Sequence, residues 1–140
     1  MTPEEVTAEL DAIASEADFA FRSDGLTERW AVAGAGSETI EPILRFMESH
    51  PDVDYGSPGP LAHFVERFYR NGYEDHLIQS IRRKPTTQTA WMLNRLINGT
   101  RDPSTRRNLI ELMVAARDNA NAGEQAKIEL AHFISRLESS

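Results

Sequence analysis

The chain has 140 residues, 40% hydrophobic and 26% charged, with 22 Asp/Glu against 15 Lys/Arg and no cysteine. That is one domain's worth of sequence, able to bury roughly two-thirds of its unfolded surface. The missing cysteines exclude disulfides, thiolate metal sites and a Cys nucleophile. A formal net charge of −7 works against nucleic-acid binding.

The first predicted element opens at Thr2-Pro3-Glu4-Glu5. Thr2 can cap, Pro3 suits the first helical position and Glu5 completes a capping box. Behind it Val6, Leu10, Ile13, Ala14 and Ala17 form one apolar stripe. Phe19 and Phe21 close that segment, Asp24-Gly25 breaks it, and Thr27 caps a short second helix through Trp30 and Val32, ended by Gly34 and Gly36. Phe19–Val32 is also compatible with two short paired strands. Ser37 introduces a third helix carrying Ile40, Ile43, Leu44 and Met47, with Pro42 tolerable only near its first turn.

His50–Gly59 is a loop by composition, holding Pro51, Gly56, Pro58 and Gly59. Pro60 then starts a helix in which Leu61, Phe64, Val65, Phe68 and Tyr69 share one face, stopped by Asn71-Gly72. A shorter helix follows with Leu77, Ile78 and Ile81, ends at Pro85, and has cations in its last turn at Arg82-Arg83-Lys84. The next spans Thr87 to Asn98 with Gly99 as its C-cap. Asp102-Pro103 begins another, with Leu109, Leu112, Met113 and Ala116 inward. Asn121 is expected to cap the last, which repeats Ala126, Leu130, Phe133, Ile134 and Leu137 at helical spacing.

These elements predict an all-α chain of seven or eight helices forming one domain over 1–140, with acidic helices over 1–55 and stacked antiparallel hairpins over 56–140. The spacing of helix starts is loose and carries no recurring signature, which favours a small irregular α-solenoid over a strict repeat array. A plain helical bundle is the alternative.

Catalytic signatures are missing. Gly34-Ala35-Gly36-Ser37 lacks the third glycine and the preceding strand of a dinucleotide loop. His63 and Glu66 lie three apart on a helix but lack the further ligands of a metal site, so His63 and His132 read as packed or surface side chains. Asp75 and His76 are sequence neighbours, poor helical geometry for a dyad. No catalytic residue, metal or cofactor is assigned. Arg82-Arg83-Lys84 with Arg101, Arg106 and Arg107 could form a basic patch, against which the net charge weighs. The helix around Trp91 has an apolar face of Met92, Leu93, Leu96 and Ile97 and an opposite face of Trp91, Asn94, Arg95 and Asn98. Packing on both sides is the preferred reading of that helix, with an interface as the alternative.

The acids are unevenly spread. Residues 1–56 hold 13 Asp/Glu against Arg22, Arg29 and Arg45, whereas residues 57–140 hold 9 acids and 12 Lys/Arg. Such a field attracts cations and basic partners, although a solvated, solubilising face explains the same composition.

Finally, Gly56-Ser57-Pro58-Gly59-Pro60-Leu61-Ala62-His63-Phe64-Val65-Glu66, Tyr73-Glu74-Asp75-His76-Leu77, Arg83-Lys84-Pro85-Thr86 and Ala90-Trp91-Met92-Leu93-Asn94-Arg95-Leu96-Ile97-Asn98 together resemble small HEAT-like immunity proteins. Those proteins are encoded beside polymorphic toxins in bacterial competition loci, including contact-dependent inhibition and secreted-effector systems. The resemblance covers about residues 56–135 and is a pattern of packing residues and turns. It implies a cytoplasmic, non-enzymatic protein that binds one cognate toxin domain, often a nuclease with a basic cleft, and masks its active site. No nucleic acid or membrane would be bound. The expected contact residues are Glu41, Glu48, Asp52, Asp54, Glu74 and Asp75, with Tyr55 as the aromatic anchor. A helical adaptor for another protein is the rival reading; an enzyme using His63 or His76 is a weaker one.

Overall fold

The computed structural model describes residues 1–138, and every regular element among them is helical. In chain order these are α1 (Pro3–Ile13), α2 (Phe19–Val32), a single 3-10 turn (Ser37–Thr39), α3 (Ile40–Ser49), α4 (Pro60–Glu66), α5 (Tyr73–Arg83), α6 (Thr87–Gly99), α7 (Pro103–Arg117) and α8 (Glu124–Glu138). The backbone gathers into two compact units, Met1–His76 and Leu77–Ser140, and α5 runs across the division. The boundary expected near residue 56 therefore falls inside the first unit, which also takes in the proline-rich loop and α4.

In the first unit, the predicted capping box of α1 is present. Thr2 accepts the Glu5 N–H at 3.1 Å and the Glu5 carboxylate accepts the Thr2 N–H at 3.1 Å. Val6 and Leu10 supply its fully buried face. The expected break at Asp24-Gly25 does not occur: Phe19–Val32 is one helix of 14 residues, neither two pieces nor two strands. Burial explains this. Phe19, Ser23, Leu26, Thr27 and Trp30 all face inward, and that gain exceeds the roughly 1 kcal/mol a mid-helix glycine costs. Glu9 ties α1 to α2 by accepting from Arg29 at 2.6 Å and from the Trp30 indole at 3.3 Å. Within this unit α1 packs on α2 and α3, and α2 on α4, where the Trp30 ring meets the edge of Phe64 at 5.7 Å.

The helix predicted from Pro60 through Tyr69 is shorter than its apolar face. It ends at Glu66, and the chain continues in tight turns with Arg67, Phe68 and Tyr69 bonding three residues back. Arg70 adopts φ 67° to complete the reversal, and both Glu74 carboxylate oxygens accept its N–H, at 2.8 and 3.1 Å.

In the second unit, α6 is capped by Thr86, whose hydroxyl accepts the Thr89 N–H while Thr89 reciprocates, with both side chains buried. Gly99 falls inside α6 and Thr100 is its C-cap, one residue later than expected. Asp102 and Pro103 start α7 as predicted. Asn121, expected to cap α8, lies three residues ahead of that helix; its amide donates to the Arg83 carbonyl at 3.0 Å, beside an Asn119 donation to the Arg82 carbonyl at 3.1 Å. Here α6, α7 and α8 all pack on one another around Leu93, Ile97, Met113 and Leu130. Next-but-one pairs such as α1 with α3 and α6 with α8 occur in α-α stacks and in plain bundles alike, so they establish all-α, helix-on-helix packing within each unit.

Candidate functional site

The two units divide the charge more sharply than the sequence halves do. Met1–His76 carries 16 acidic and five basic side chains, a formal −11, whereas residues 77–140 carry six acidic and ten basic, a formal +4. The basic side chains of the first helices are engaged locally. Arg22 lies 2.7 Å from Asp18 and 3.8 Å from Glu16, Arg29 lies 2.6 Å from Glu9, and Arg45 lies 3.5 Å from Glu41. Such exposed pairs add little stability, and beyond them Asp24, Glu28, Asp52, Asp54 and Asp75 stand exposed on this unit. Glu38 is occupied differently. It accepts the Gly36 N–H at 2.9 Å, and that bond, followed by the one from its own backbone, holds its carboxyl below the usual carboxylate range.

The expected contact residues separate into two kinds. Asp52, Asp54 and Asp75 are exposed, with Asp54 also accepting the Gly56 N–H at 3.0 Å, and Glu41 is exposed but paired with Arg45. Glu48 and Tyr55 are corrections. Glu48 is only 8% exposed, on the inner side of α3, and Tyr55 is 2% exposed. The Tyr55 ring meets Phe19 edge-on at 5.4 Å and Phe46 at 6.4 Å, and its hydroxyl donates to the His50 carbonyl at 2.8 Å. Burial pushes the phenol's pKa upward. This tyrosine closes the 50–55 turn onto the core and offers no anchor to a partner. Glu74 is half-buried and holds the Arg70 turn.

What the sequence reading missed lies on α2. Phe21 is 78% exposed and Val32 is 92% exposed, eleven residues apart on one helix. At 100° per residue they share a face, with Gly25 and Glu28 between them and Asp24 to one side. A groove of about 360 Å³ adjoins that side, lined by Asp24, Thr27, Glu28 and Ala31 of α2 and by Pro60, His63, Phe64 and Arg67 beyond. Periodicity could have shown this face had Phe19–Val32 been read as one helix.

In the second unit the expected two-sided packing of α6 is overturned. Trp91 is 43% exposed, touching the edge of Phe133 at 5.4 Å, and Arg95 and Asn98 are exposed beside it. His63 sits 3.6 Å from Glu66 with most of its ring in solvent, and His132 is exposed. Among the described residues no group of three or more His, Asp or Glu side chains is placed to hold a metal ion, and no helix is long and apolar enough to cross a membrane. Compared with known protein families, curated proteins and solved structures, the chain matches none.

Proposed function

We propose that this chain is a binding protein for a basic partner, and specifically a cytoplasmic immunity protein that neutralises a cognate bacterial toxin domain by covering its active site or substrate cleft. The observation that carries this reading is the −11 charge of the Met1–His76 unit, with acids left exposed after Arg22, Arg29 and Arg45 are paired internally. A field of that sign speeds encounter with a Lys/Arg-lined cleft and discriminates against acidic competitors. The resemblance over residues 56–135 to HEAT-like immunity proteins supplies the partner class and the α-solenoid as the arrangement of the helices. No reaction is assigned to the chain, and a nuclease cleft is the most fitting target, because it is built to receive a polyanion.

The test is co-expression with the product of the adjacent gene. Under this reading that product is toxic alone, its toxicity is abolished by the chain, and the two co-elute as a complex. An adjacent gene product that is harmless, or that kills equally well with the chain present, sinks the proposal.

A further inference from the structure

Resting on that reading, we infer that the contact core is the outer face of α2, and that it takes a partner segment pairing an apolar side chain with Lys or Arg. Solvent exposure of a single apolar residue is ordinary. Here Phe21 and Val32, 78% and 92% exposed, stand on the same side of one helix, about 16 Å apart along its axis. Gly25 lies between them, and beyond its chain neighbours and the local helix backbone no atom comes within 4 Å of where its Cβ would be, so the face dips between two apolar posts. The occupant's chemistry follows from the flank. Asp24 and Glu28 are exposed, make no ion pair among the described residues, and form the α2 wall of the groove; the other side includes Pro60, His63, Phe64 and Arg67, whose guanidinium lies over the Phe64 ring at 5.2 Å. An apolar side chain seated between Phe21 and Val32 thus brings a neighbouring cation onto Asp24 and Glu28. Asp52 and Asp54, exposed but outside this groove, then add to the long-range charge that steers the encounter and do not hold the complex.

The probe is a helical peptide with leucine on one face and lysine flanking it, titrated into the full chain while backbone amide shifts are followed by NMR. The expected shifts fall on residues 21–32 and 60–67. Phe21→Ser with Val32→Ser weakens binding about tenfold, and Asp24→Asn with Glu28→Asn weakens it about three- to tenfold at low salt. These positions are exposed, so circular dichroism and the melting temperature of the variants stay close to wild type. Shifts confined to 41–54, no shifts at millimolar peptide, or variants that bind within twofold of wild type each overturn the surface. Its fate is separable from that of the immunity reading. Protection from the adjacent gene's toxin that survives both double variants removes the surface and keeps the function; peptide binding on α2 without any protection does the reverse.

Discussion

Gly25 is exposed in the middle of α2, and a methyl group there would meet nothing. Its backbone is helical, so the glycine relaxes no strain and only widens the unfolded ensemble. Gly25→Ala is therefore expected to stabilise the chain by about 0.5–1 kcal/mol, seen as a rise of a few degrees in thermal denaturation. A melting temperature that is unchanged or lower would show that the glycine has a role in the free protein. Gly59 is the opposite case. Its φ of 95° and the approach of the Tyr55 carbonyl to the place of its Cβ leave no room for a side chain, because the loop must double back there to start α4 at Pro60.

Among the elements, α7 gives the clearest pH dependence. Asp102 accepts from the Thr105 hydroxyl at 2.7 Å and from the Thr105 N–H at 2.9 Å; the hydroxyl bond first, then the backbone bond, lowers its pKa. A carboxylate whose pKa is lower folded than unfolded contributes stability above the unfolded value, and that contribution is lost as pH falls through the folded value. The first turn of α7 is thus expected to open below the ordinary carboxylate range. Amide exchange at Thr105 should accelerate there relative to mid-helix amides, and Asp102→Asn, which still caps but does not ionise, should remove the difference. Local start signals of this kind were legible in the sequence: Thr2, Pro60 and Asp102 each begin a helix where their chemistry requires. Signals overruled from a distance were not. Asp24-Gly25 reads as a break only until the burial of Ser23, Leu26, Thr27 and Trp30 is counted. The apolar spacing through Tyr69 outlasts α4: in the turns bonded three residues back Phe68 stays half-buried, but the 3.6-residue period is lost and Tyr69 comes out 42% exposed. Asn121 has cap chemistry but gives its amide to the Arg83 carbonyl, 38 residues away in sequence. The anchor expected at Tyr55 follows the same pattern, since its sequence neighbours are polar while its ring belongs to the Phe19 and Phe46 cluster.

For the whole molecule, the division of charge between −11 and +4 matters more to association than the net −7. A partner with a basic cleft experiences the acidic unit at long range, and salt shortens that reach to about 10 Å at 0.1 M. The association rate with the proposed toxin domain is therefore expected to fall roughly ten- to hundredfold between about 0.02 and 0.5 M salt, measured by stopped-flow mixing. The dissociation rate should change far less, because apolar contact and short-range pairing hold the formed complex. Charge reversal at the exposed pair Asp52 and Asp54 should likewise slow association at low salt and leave dissociation near wild type. Solubility alone makes a different forecast, since a purely solvating acidic face gives an association rate that is flat in salt and indifferent to the reversal. The slope of rate against salt thus decides whether the acids of Met1–His76 steer a partner or only keep the chain in solution.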